Sequence, residues 1–349
     1  MITKNRRMVP DIDADPFGER STMPARKDLH LMGGLFHFES NSPELLYLVD
    51  AAYADLPNHQ FSSTPPDFRV KLMVTPTTSR RQIKHAHASR RPEPVPISMF
   101  HGAGLLGATT ASSTFVAISP AERTAIICVP RAMLRFPYHI RYELIEFAVF
   151  TLASRALHLV SLHAACVGIN GRGILLMGPS GAGKSTVALH CLLSEFDFLA
   201  EDSVFVAPKT MHATGTPNFL HVRADTLSWL GRSRESALIR TSPVIRRRSG
   251  IEKFELDLRR KQFRLAKKPL KIVAVAFLSS RTAGKRPLLR SLPKVELRAK
   301  LADMQAYGAS LPLWREFSRN ISRLGGFEVR RGLHPIETVQ ALRSLLDGG

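Results

Sequence analysis

The chain has 349 residues, 44% of them apolar, and a formal net charge of +20. That length predicts two domains with at least one large core, and the apolar share is that of a globular protein. Three widely spaced cysteines, Cys128, Cys166 and Cys191, match neither a disulfide framework nor a metal site and read as core thiols of a reducing compartment.

In chain order, Met1 to Pro24 is charged and proline-rich, without the apolar stretch of a secretory signal. Residues 1–28 lack periodicity and are expected to be disordered. Leu35 to Phe38 suggests a short strand. A helix then opens at Pro43 behind Ser42 as cap, carries Leu45, Leu46, Val49 and Ala52 on one face, and stops before Leu56-Pro57. Phe68 to Val74 alternates as a strand does, and the polar stretch Thr75 to Pro96 reads as a mobile loop. Phe115–Ile118 and Thr124–Val129 predict two further strands. Residues 29–135 therefore read as a small mixed α+β domain with no catalytic constellation, its His85, His87 and His101 being surface residues.

Tyr138 to Leu159 has helical spacing and is expected to lead into a second domain, residues 136–349. The longest apolar stretch, Leu144 to Val160, is interrupted by Glu146, Arg155 and His158, so no membrane-spanning segment is predicted and a cytoplasmic location follows. Leu162 to Ile169 is extended and ends on Asn170-Gly171, a strong hairpin signal. With those two residues as the loop, Ile169 faces Arg172, and counting back sets His163 opposite Gly178.

The stretch Gly178, Pro179, Ser180, Gly181, Ala182, Gly183, Lys184, Ser185 and Thr186 fits G-x-x-x-x-G-K-[ST] without a mismatch. The apolar run Ile174–Met177 precedes it and a helix-competent run follows it, so strand, glycine turn and helix come in the order a phosphate-binding loop needs. Glycines let successive backbone N–H groups face one anion, and the helix start adds its partial positive charge. Lys184 would reach the β- and γ-phosphates of ATP, and the Ser185 hydroxyl would hold Mg²⁺. After the helix, Phe196 to Asp202 predicts a strand parallel to Ile174–Met177, with Glu201 and Asp202 at its carboxyl end, on the edge where open α/β sheets bind ligands. One acid can hold Mg²⁺ and the other can accept a proton from an attacking hydroxyl. No LSGGQ-like transporter signature or NKxD-like guanine reader is present.

His163, the Asn170-Gly171 hairpin, Gly178 to Thr186 and Leu199-Ala200-Glu201-Asp202 together resemble the catalytic half of bacterial HPr kinase/phosphorylase, and more closely the HPr-kinase-related kinases that share this domain alone. The resemblance covers residues 162–206 in detail and the rest of the second domain in outline. It implies an α/β, P-loop NTPase-like kinase fold and phosphoryl transfer from ATP, with Mg²⁺, to a hydroxyl, typically serine. It also implies Lys184 and Ser185 as nucleotide and metal contacts and the first acid as general base beside His163, and the reading of the acid pair then leaves Asp202 as a further metal contact. Related kinases assemble, so a homo-oligomer is implied too. Two departures stand out. Glu201 replaces the usual Asp, which leaves open whether Glu201 or Asp202 is the base. The family's E-[LI]-R-G-x-G-I signature is also absent, its nearest string, Val295 to Lys300, falling in a predicted helix.

The excess of positive charge is concentrated. Residues 240–300 hold 19 Lys or Arg against 4 Asp or Glu, a surface suited to an acidic peptide or protein partner. No aromatic ladder or nucleic-acid signature accompanies it, which argues against nucleic acid. Strands are predicted at Phe219–Val222, Phe254–Leu258 and Lys271–Leu278, and helices at Val295–Met304, from Trp314 to a stop at Gly325-Gly326, and from Pro335 on. A peptide or protein serine kinase is the expectation. A small-molecule hydroxyl kinase on the same scaffold and a nucleotide-binding module without transfer are the alternatives.

Overall fold

The computed structural model describes residues 23–62, 64–75, 97–109, 114–260 and 262–348. It is a mixed α/β protein with several sheets. The first sheet comprises β1 (Ala25–Leu31), β2 (Gly34–Ser40), β3 (Asp67–Thr75), β4 (Ser98–Gly102), β5 (Leu105–Thr109), β6 (Phe115–Ser119) and β7 (Thr124–Pro130), in the spatial order β1-β2-β3-β7-β6-β5-β4. β2, β3 and β7 run parallel. In β3, Phe68, Val70 and Leu72 are buried while Arg69 and Lys71 face solvent, the alternation of a strand covered on one side. The Pro43–Tyr53 helix connects β2 to β3 and buries Leu45, Leu48, Val49 and Ala52.

Several expectations need correction here. Residues 25–28, expected to be disordered, are strand, because residues 25–31 pair with β2 from Ala25↔Ser40 to Leu31↔Gly34. Residues 1–22 lie outside the described residues, as do residues 76–96 of the expected loop with His85 and His87. Thr75 closes β3. Ser42 occupies the cap position, but its hydroxyl donates to Glu44 Oε2 at 2.6 Å rather than accepting from a helix N–H.

The chain is helical from Pro137 to Ala156, with one widened, π-type turn over Ile140–Ile145. Ile140, Leu144, Ile145, Ala148, Val149 and Leu152 join the core under the first sheet, together with Phe36, Val70 and Ile118. This helix, expected to lead into the second domain, thus covers the first sheet, and its opposite side meets the second.

The second sheet contains β8 (Val160–His163), β9 (Ala165–Ile169), β10 (Arg172–Met177), β11 (Asp197–Ala200), β12 (Ser203–Ala207), β13 (His212–Gly215), β17 (Leu270–Thr282), β18 (Leu289–Ser291) and β19 (Gly326–Arg331). A separate small sheet has the order β14-β16-β15 and is formed by β14 (Phe219–Val222), β15 (Val244–Arg246) and β16 (Glu252–Asp257). β10, β17 and β19 are parallel, with β9 antiparallel on the other side of β10. Asn170 and Gly171 both take positive φ, 52° and 78°, as a tight two-residue hairpin requires. The hairpin register is the expected one from Ile169↔Arg172 to Ala165↔Leu176.

Beyond that point the expectation for His163 fails. At Ala164 the chain leaves β10, and β8 pairs with β12, placing His163 opposite Ser203 rather than Gly178. The Ala164 N–H donates to Asp202 O at 3.2 Å, and the Gln305 side chain grips both backbone groups of His163, at 2.8 and 2.9 Å. These bonds fix the fork. β11 does run in the same direction as β10, but β9 lies between them.

Helices Lys294–Met304, Trp314–Leu324 and Pro335–Asp347 bury Leu297 and Leu301, Trp314, Phe317 and Ile321, and Val339, Leu342 and Leu346 respectively. Leu324 and Ile336 on the same helices stay more than a third exposed. Among the described residues no helix is long and apolar enough to cross a membrane.

Candidate functional site

β10 ends at Met177, and the chain turns through Gly178–Gly183 into the Lys184–Leu193 helix. Gly181 and Gly183 have φ of 81° and 94°, the left-handed region that glycine enters without penalty. No side chain caps the helix start and its first turn holds no acid, so the first-turn N–H groups, which have no partner within a helix, point outward uncapped. Lys184 is buried, and its Nζ donates to Gly178 O at 2.7 Å. Burial pushes the Lys184 ammonium below its ordinary pKa, against the pull of Asp202 and Glu201.

β11 delivers the acid pair to the same edge. The Ser185 hydroxyl donates to Glu201 Oε1 at 2.7 Å. Glu201 Oε2 accepts from the His221 backbone N–H at 2.9 Å and lies 2.7 Å from His221 Nδ1. Both oxygens of this buried carboxylate are therefore engaged. Asp202 faces a different environment: its side chain is 35% exposed and takes Arg247 Nη2 at 2.9 Å. Burial raises the Asp202 pKa, but Arg247 beside it prevails and the net shift is downward. His163 is exposed, with Nδ1 3.2 Å from the Asp202 carbonyl oxygen. The structure thus gathers Lys184, Ser185, Glu201, Asp202 and His163 at one edge. Thr186 bonds instead to Thr226 Oγ1, at 3.1 Å.

A buried charge cluster behind Glu201 escaped the sequence reading. His221 on β14 sits between Glu201 and Glu255, its Nε2 being 3.5 Å from Glu255 Oε1, an ion-pair distance without a hydrogen bond. Arg141, from the widened helical turn, hydrogen-bonds Glu255 in turn. Burial disfavours the charged imidazole, but Glu201 and Glu255 outweigh it and raise His221 to about 9. Glu146, one turn along the same helix, is buried enough that its pKa rises to about 8 despite Arg141 and His221. The signal available in sequence was weak: a lone histidine on a predicted strand, and charges interrupting an apolar helix. Arg247 reaches the acid pair through Asp202, and Arg248 bonds Glu143 at 2.5–2.6 Å.

Among the described residues no group of three or more His, Cys, Asp or Glu forms a metal cage. A nucleotide-borne Mg²⁺ needs none, because it takes few protein oxygens and keeps waters and phosphates as its other ligands. Ser185 and Glu201, hard oxygen donors in contact at the helix start, fit such an ion.

No family model matches the chain, and neither does any curated protein sequence. Among solved structures, the HPr(Ser) kinase/phosphatase from Coxiella burnetii aligns with 53% of this chain and 88% of its own, at 12% identity and a TM-score of 0.26. A likeness of that size adds nothing to the geometry above.

Proposed function

We propose that the protein is an ATP- and Mg²⁺-dependent phosphotransferase acting on a hydroxyl, with a serine of a peptide or protein as the acceptor. One observation carries this: the Ser185 hydroxyl, at the start of an uncapped helix behind a glycine turn, is bonded to the buried Glu201 carboxylate. That contact joins a phosphate-binding element to an acid at the sheet edge, the pairing phosphoryl transfer uses. When bound, Mg²⁺ would neutralise charge on the phosphates. Lys184 and the turn N–H groups would hold the nucleotide, and Ser185 with Glu201 the metal. Asp202 is the better general base, because its carboxylate is partly open whereas Glu201 has both oxygens occupied. His163 lies beside it. The basic residues 240–300 would draw an acidic acceptor toward this edge.

The test is label transfer from γ-labelled ATP with Mg²⁺ to serine-containing acidic peptides and to a cell extract. Label on serine in wild type, lost in Lys184→Ala and Asp202→Asn, is the expected result. Tight ATP binding without label on any acceptor would leave a nucleotide-binding module.

A further inference from the structure

The first sheet has two edges, and they are finished differently. At one, β1 carries Arg26, Lys27 and Asp28, with Arg26 3.6 Å from Glu39 and Lys27 2.9 Å from Asp50. Charges of this kind discourage a sheet edge from pairing with a further strand. At the other, β4 reads Ser-Met-Phe-His-Gly, with no Asp, Glu, Lys, Arg or Pro. All five residues are exposed, Met99 by 66% and Phe100 by 45%, and among the described residues β4 pairs with β5 alone. A strand open along one side presents a row of backbone N–H and C=O groups, a template for another strand.

The lack of charge extends inward from this edge. In the whole chain 22% of residues are charged. Yet residues 98–109, 115–119 and 124–130, which make up β4 to β7 with the β4–β5 turn, contain no Asp, Glu, Lys or Arg. Phe100, Phe115 and Ile126 stand open on these strands instead, and the Phe100 ring covers Gly107, where a Cβ would come within 2.0 Å of it. The first strand inward with charged side chains facing solvent is β3, through Arg69 and Lys71. At about 4.8 Å per strand it lies about 19 Å from the edge, more than twice the screening length of about 8 Å at physiological salt.

We propose that β4 pairs with β4 of a second copy of this chain, antiparallel and about a two-fold axis at Phe100. The charge pattern selects a copy as the occupant. Two chains of net charge +20 repel wherever their charged surfaces meet, and this edge joins them across an uncharged margin four strands wide on each side. An acidic partner would be drawn to the basic residues 240–300 instead. The pairing is self-complementary, with Phe100 facing Phe100, Met99 facing His101 and Ser98 facing Gly102. Because charge guards the β1 edge, association closes at two copies and does not propagate. A five-residue ladder buries little surface, which sets the dimer in the micromolar range. None of this depends on the phosphotransferase reading above.

The experiment is sedimentation velocity of the full chain from about 1 to about 100 µM. Wild type is expected to shift from monomer toward dimer across this range. Phe100→Lys and Met99→Lys place two positive charges close to the two-fold axis, and each is expected to weaken association about tenfold or more. Met99 is the more exposed of the two and carries the comparison if Phe100→Lys does not fold. Cross-linking tests the register. Facing residues have Cβ atoms about 4.5–5.5 Å apart, so Phe100→Cys is expected to give a disulfide-linked dimer on oxidation. Ser98→Cys is not, since four residues of about 3.4 Å hold it about 14 Å from its own copy. Cys128, Cys166 and Cys191 are buried and keep the background low. A wild type still monomeric at about 100 µM overturns the proposal and leaves β4 to a strand of another protein. A dimer that survives both lysine variants, or that cross-links through Ser98→Cys as readily as through Phe100→Cys, overturns it as well.

Discussion

In the first sheet, β2 ends at Ser40 and the Pro43–Tyr53 helix follows. In the second, β10 ends at Met177 and the Lys184–Leu193 helix follows the glycine turn. Both are strand–turn–helix units on parallel strands, yet their helix starts are finished differently. At the first, Ser40 Oγ donates to Leu72 O at 2.8 Å, the Asn41 side chain bonds Val74 through both its amide nitrogen and its oxygen, and Glu44 places a carboxylate in the first turn. Those bonds tie the turn to β3, and Glu44 already answers the helix dipole. Neither start has a side-chain cap, but at the second there is no acid in the first turn, and a buried lysine stands by. A cavity of about 380 Å³, twice that of the cleft at the acid pair, belongs to the first unit and the anion-ready helix start to the second. Size and chemistry point to different places, and electrostatics decides for the second.

The contrast can be broken most severely at Gly178. A Cβ there would sit 2.9 Å from the Leu278 carbonyl oxygen and 3.1 Å from Ala182 Cβ, so Gly178→Ala must displace the turn. Labelled-ATP turnover is expected to fall by about a hundredfold, since misplacement on the order of 1 Å is enough for that. Ser42→Ala, in the other unit, is expected to leave turnover at the wild-type level.

Next in size is His221→Ala, which strands the buried Glu201 carboxylate without its cation. Urea unfolding is expected to show a loss of about 3–5 kcal/mol, the usual penalty for breaking a buried pair from one side. His221→Gln, which can still donate to Glu201, should recover part of it.

The same cluster predicts a pH dependence. His221 is raised from 6.5 to about 9, so its contribution is complete below pH 6.5 and is lost as pH rises through about 9. Glu146, raised from 4.5 to about 8, acts in the same direction at lower pH, because the folded chain keeps a proton that the unfolded chain releases. The melting temperature should therefore decline with rising pH up to about 9. Glu146→Gln should flatten the part below about 8. The smallest effect is expected for Glu44→Gln, a barely measurable change in melting temperature with ATP binding unchanged.

What could be read from the sequence lies in consecutive residues. The glycine turn, its flanking strand and helix, and the Asn170-Gly171 hairpin are each specified within a few positions. The charge cluster is not, because Arg141, His221 and Glu255 meet only after two sheets and a helix are assembled. Nor was the fork at Ala164 legible. Val160 to Ile169 is apolar enough for burial in either pairing, and the choice is made by Gln305, 142 positions from His163. Likewise, the stripe of Tyr138–Leu159 showed a buried face without saying which sheet it covers. The charges breaking that stripe excluded a membrane span, and two of its residues, Tyr142 and Glu146, line a cleft together with Glu201, Asp202 and Arg247.

The central claim is that the second helix start, and not the first, takes the nucleotide. Calorimetric titration of Mg·ATP into wild type, Lys184→Ala and Glu44→Gln tests it directly. One site per chain, lost in Lys184→Ala and kept in Glu44→Gln, is the predicted result. Binding that survives in Lys184→Ala, or is absent from wild type, would contradict it.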